Sequence, residues 1–75
     1  MAKPRQIVDA GPFTIDLRNL EYMELVTGRD DYGPIHGIKF VFYSGAHRTA
    51  WYGWKSSSRD SAYFMLMKAF QNYHG

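Results

Sequence analysis

The chain has no cysteine, only three prolines and no long apolar run. Without thiols there is no disulfide staple and no zinc site of the cysteine-containing kind. A secreted domain this small generally relies on disulfides, so their absence favours an intracellular, cytoplasmic setting. No segment approaches the roughly 18 apolar residues that span a bilayer. The opening Met1-Ala2-Lys3-Pro4-Arg5 also lacks the apolar stretch of a signal peptide, so no membrane role is expected. An excess of one charge is missing too. Nine Lys and Arg against seven Asp and Glu leave a formal charge of +2, too little to argue for nucleic acid by itself.

Aromatic side chains are what the chain does have. Two tryptophans, six tyrosines and five phenylalanines make up 17% of 75 residues. That length suits one domain, and a chain so short buries only about 60% of its unfolded surface. Each ring removes roughly 150–250 Å² from water when buried, which offsets the small size and argues against disorder.

Residues 1–12 read as a flexible N-terminal tail, punctuated by Gly11-Pro12, and residues 13–75 as a single small α+β domain. Phe13, Ile15 and Leu17 alternate with polar residues on one strand face. Residues 19–26 read as a second strand after a bulge, with a helical turn as the rival reading. Thr27 to Pro34 is dense in turn formers and predicts a loop. Ile35 to Tyr43 is the clearest strand, with Ile38, Phe40 and Phe42 towards the core and Lys39, Val41 and Tyr43 opposite. After a tight turn at Ser44-Gly45, a further strand runs from His47 to Trp54. It places Arg48, Ala50, Tyr52 and Trp54 on one face, and His47, Thr49 and Trp51 on the other.

Ser57 followed by Asp60 resembles a capping box that opens a helix. Ala62, Tyr63, Leu66, Ala69, Phe70 and Tyr73 then share one helical stripe, and Gly75 follows it. The expected fold is a two-layer α+β arrangement: an antiparallel sheet of three to four strands packed against one C-terminal helix.

No pattern assigns catalysis. His36, His47 and His74 lie far apart with no acidic residue at a ligand spacing, so no metal site is expected. Asp30-Asp31 lacks the alternating oxygen ligands of a calcium loop and reads as a solvated turn. Glu21 and Glu24 read as charges on a strand edge. Ser56, Ser57 and Ser58 lack the glycine-flanked elbow of a hydrolase, so neither enzymatic activity nor a cofactor is expected.

The one constellation that stands out is Arg48, Trp51, Tyr52, Trp54, Lys55 and Arg59. Consecutive strand residues point to opposite faces, and one helix covers one face, so some large ring faces solvent beside cations. Trp, Tyr and Arg dominate interface energetics. Phe64 lies about 160° from Leu66 around the helix, with Met67 flanking the stripe, which marks a second patch suited to a partner or a homodimer. The leading expectation is a small non-enzymatic protein-binding module, an adaptor or inhibitor. Its size and composition are those of stand-alone proteins that phages and mobile elements direct at host machinery. The alternative is a single-stranded nucleic-acid binder that stacks bases on sheet aromatics.

Overall fold

The computed structural model describes residues 5–74. The chain runs through β1 (Ile7–Asp9), β2 (Thr14–Asp16), β3 (Leu20–Asp30), β4 (Gly33–Phe42) and β5 (His47–Trp51) into α1 (Ser56–His74). The fold is α+β, as expected, with the strands divided between two antiparallel sheets. One is a three-stranded sheet in the order β3-β4-β5, and the other is the β1-β2 hairpin.

Register sorts the side chains. Directly opposed residues share a face, and Met23 faces Phe40, which faces Arg48, while Leu25 faces Ile38, which faces Ala50. On this face Ile38, Phe40 and Ala50 are wholly buried. α1 rests on β4 and adds Leu66, and the β1-β2 segment adds Ala10, Ile15 and Leu17, so one cluster forms the whole core. Each large apolar side chain buried there contributes roughly 1.5–3 kcal/mol. The helix stripe from Ala62 to Tyr73 packs as its spacing predicts, and Met67 joins it against the core.

Five local outcomes depart from expectation. Within residues 1–12, expected as a tail, Ile7–Asp9 forms β1, because Val8 and Ala10 have a hydrophobic cluster to join. Residues 1–4 of that segment lie outside the described residues. Residues 27–34, expected as a loop, instead continue the ladder from Thr27↔His36 to Asp30↔Gly33. Asp31 and Tyr32 make the turn with negative φ, and Gly33, at φ +134°, takes up the mismatch with the strand twist. Pro34 is tolerated in β4 because it lies beyond the stretch, Gly37 to Val41, that pairs with β5. Residues 17–19, where a bulge was expected before the second strand, form a turn between β2 and β3, and the register shift falls inside β3, between Leu20 and Tyr22.

β5 ends at Trp51 rather than Trp54. Gly53, at φ +101°, bends the chain while its carbonyl still accepts the His36 N–H at 2.9 Å. The helix starts at Ser56, which places Lys55 at the cap position, and its carbonyl accepts the Ser58 N–H at 3.2 Å. Asp60 does not complete a capping box. Its Oδ1 accepts instead from the Arg59 guanidinium at 3.0 Å.

Candidate interaction surface

Among the described residues, neither helix nor hairpin lies on the second face of the three-stranded sheet. Register assigns it Tyr22, Glu24, Val26 and Gly28 from β3, Ile35, Gly37, Lys39 and Val41 from β4, and His47, Thr49 and Trp51 from β5. Trp51 dominates this face. Its indole reaches from the edge strand across β4 to β3. A Cβ placed on Gly37 would lie 2.6 Å from Trp51 Cε3, and one on Gly28 would lie 2.7 Å from Cη2. No real Cβ sits that close, so the two glycines are what let the ring lie flush on the backbone. The residue nevertheless stays 44% exposed.

The aromatic surface continues towards the hairpin tip. Trp54 Nε1 donates to both carboxylate oxygens of Asp30 at 3.2 Å, which ties the segment after β5 to the end of β3. Asp30 Oδ1 also accepts the Tyr32 N–H at 2.8 Å, and the Tyr32 ring meets the Trp54 ring edge-on at 5.9 Å. Gly28 and Asp30 are two residues apart on one strand, so they share a face about 7 Å apart. That spacing sets the Trp51 and Trp54 anchor points side by side. Tyr32, Trp54 and Trp51 thus form a strip from the hairpin tip onto the open sheet, with Tyr22 exposed further along β3.

Charge on this face is balanced. Lys39 Nζ lies 3.8 Å from Glu24 Oε1 across the β3-β4 pair. Both side chains are partly exposed, so the pair adds little stability but cancels the field over the strands.

The remaining expected residues are placed elsewhere. Tyr52 turns to the covered side and is half-buried. Its hydroxyl donates to the Ala10 carbonyl at 2.6 Å, which clamps the end of β1 to β5. Burial chiefly, and then the negative charge of Asp9, raise its pKa above 10.0. Arg48 sets its guanidinium 4.2 Å above the Phe13 ring, and Phe13 meets Phe40 edge-on at 5.8 Å. Arg48 therefore roofs an aromatic pair on the opposite face from Trp51. The Arg59 side chain is largely covered, held by Asp60 and by the Val26 carbonyl at 3.5 Å. Lys55 is exposed at the helix start. Phe64 and Met65 stand exposed on the outer side of α1.

Of the eight residues singled out from sequence, the fold brings Trp51 and Trp54 together, and Lys55 follows directly in the chain. It separates them from Tyr52, Arg48, Phe64 and Met67, and it ties Arg59 down to Asp60 and the Val26 carbonyl. Sequence reasoning passed over Gly28, Gly37 and Tyr32. Glycines inside strands were the available signal, since they mark a close approach by another group.

Among the described residues no group of three His, Cys, Asp or Glu side chains converges as metal ligands would, and no helix is long and apolar enough to cross a membrane. His47 is exposed, His74 packs against Phe70 and Tyr73, and His36 is half-buried with Nδ1 covered. Comparison with protein-family models, curated proteins and solved structures finds no match.

Proposed function

We propose that the protein is a non-enzymatic binding module that captures a protein partner on the open face of its three-stranded sheet. Trp51 and Trp54 are the anchors, and Tyr32 and Tyr22 extend the contact. The observation that carries this reading is the Trp51 indole, seated on Gly28 and Gly37 yet still exposed on a face that no element of the described residues covers. A tryptophan fixed against backbone loses little further freedom on association, which suits a hot spot. The cysteine-free composition supports a cytoplasmic adaptor or inhibitor, by analogy of size and composition with proteins that mobile elements direct at host machinery.

The nucleic-acid reading finds less support. Bases stacked on Trp51 and Trp54 would bring their phosphates towards Glu24 and Asp30, and Lys39 is already paired. Trp51→Ala is expected to keep the circular dichroism of the folded domain while abolishing partner capture from a host lysate. Captured partner should withstand added salt, because a contact anchored by ring burial loses little to screening, whereas phosphate contacts weaken steeply. Undiminished capture by Trp51→Ala overturns the reading. Tight binding of a labelled single-stranded oligonucleotide at low salt, lost on adding salt, would replace it with the alternative.

A further inference from the structure

β5 borders the three-stranded sheet on the side away from β3, and no strand of the described residues pairs with its outer edge. Two hydrogen bonds at its ends fix which way its backbone points. The Ala46 carbonyl accepts the Phe42 N–H at 2.9 Å, and the Tyr52 N–H donates to the His36 carbonyl at 2.8 Å. Between them the register runs unbroken from Val41↔His47 to Gly37↔Trp51. Bonding alternates along an antiparallel pair, so Arg48 and Ala50 also bond towards β4. The N–H and C=O groups of His47, Thr49 and Trp51 therefore point away from the sheet.

A groove of about 570 Å³ opens at this edge, lined by Pro12 and Phe13 from the β1-β2 turn and by His47, Arg48, Thr49 and Trp51 from β5. That volume falls within the roughly 300–1,000 Å³ of natural ligand sites. Arg48 belongs to the covered face and the other three β5 residues to the open face, so the groove wraps the strand edge. Its two walls differ. The Trp51 indole stands on the open side, and the Phe13 ring, capped by the Arg48 guanidinium, stands on the covered side. Among the described residues no Asp or Glu lines the groove, and Arg48 has no carboxylate partner. A second β5 would not supply one, since His47–Trp51 contains no acidic residue.

We propose that this edge takes up an extended acidic segment of a partner protein, which joins the sheet as a strand beside β5. Partner residues opposite His47, Thr49 and Trp51 share the open face and place apolar side chains beside the indole. The residue opposite Arg48 falls on the covered face, where a Glu or Asp meets the guanidinium. The recognised pattern is thus an acidic residue with an apolar neighbour on either side. Main-chain bonds supply the affinity, and the exposed ion pair supplies selectivity more than strength. The inference rests on the β5 edge and on Arg48, neither of which the open-face reading uses.

The test titrates the full chain with the end-blocked peptide Val-Thr-Val-Glu-Val-Thr and follows the backbone amides by NMR. Binding is expected to slow hydrogen exchange at the outward amides of His47, Thr49 and Trp51. Methylating the backbone nitrogen of the middle Val, which faces β5, is expected to weaken binding at least about tenfold. Methylating that of the Glu, which faces away, should leave it nearly unchanged. Replacing the peptide's Glu by Lys should weaken binding about fivefold, with no change to the protein. Absence of binding at millimolar peptide overturns the proposal, and the open-face reading survives that result if Trp51→Ala still abolishes capture. Binding indifferent to both the middle methyl group and the Glu-to-Lys change also overturns it. So does displacement of the peptide by an equal concentration of oligothymidylate, which makes nucleic acid the occupant. A dimer in sedimentation equilibrium that the peptide dissociates overturns it as well, by making a second copy the occupant.

Discussion

Tyr52 illustrates how one side chain divides its roles between fold and surface. Its neighbours in sequence, Trp51 and Trp54, reach the open side of the molecule, while its own ring turns inward and its hydroxyl meets the Ala10 carbonyl at 2.6 Å. Removing that hydroxyl in Tyr52→Phe leaves a half-buried carbonyl without its donor. A loss of about 1–2 kcal/mol in a urea titration is expected. The hydroxyl also gives the domain an alkaline limit. Because the folded state holds the Tyr52 proton above the ordinary value of 10.0, the unfolded chain ionises first as pH rises. The stability from this residue is fully present below pH 10.0 and is lost as pH climbs through the raised folded value. Unfolding titrations of wild type and Tyr52→Phe on either side of that pH should therefore converge. A gap between them that stays constant with pH would show that the ring, not its ionisation, sets the difference.

The elements were legible in the sequence where a period repeated and obscure where one residue decided. Ile38, Phe40 and Phe42 alternate cleanly, so β4 and its buried face could be read directly. The helical stripe of Leu66 and Phe70 was equally clear. The β3-β4 hairpin was longer than its composition implied, since Gly28, Asp30, Asp31 and Gly33 suggest a loop when only local preference is weighed. What extends the strands is tertiary: Gly28 lies beneath Trp51, and Asp30 accepts the Trp54 indole N–H. Neither contact is visible in local spacing, because each spans more than twenty residues. The helix start shows the same limit. Ser57 reads as the cap from sequence, and the cap position fell to Lys55, whose positive charge opposes the helix dipole and which supplies no side-chain acceptor. Lys55→Ser is therefore expected to stabilise the domain by about 1 kcal/mol, a rise of a few degrees in thermal midpoint. Ser57→Ala, two residues too late to cap, should change it by less than about 0.5 kcal/mol. A large loss in Ser57→Ala would restore the capping-box reading.

Across the whole molecule, one helix and one hairpin cover the same side of a three-stranded sheet, and that asymmetry produces the two exposed aromatic regions. That Trp51 and Tyr52 face opposite ways was readable from alternation, but which of the two faces stays uncovered was not. Nor was the return of Trp54 to the Trp51 side, which follows from the bend at Gly53 and the bond to Asp30, 24 residues away. The outer side of α1 is the other exposed region, with Phe64 66% exposed. The helix lies against the covered face, so Phe64 and Trp51 sit on opposite sides of the sheet and cannot contact one flat partner together. Phe64→Glu is expected to shift unfolding free energy by less than about 0.5 kcal/mol, since the ring has little burial to lose. It should also leave partner capture at the wild-type level. Thermal unfolding and capture measured on the same preparation check both halves. If capture disappears while the unfolding curve stays in place, the binding surface belongs to the helix, and Trp51 is reduced to a lid over Gly28 and Gly37.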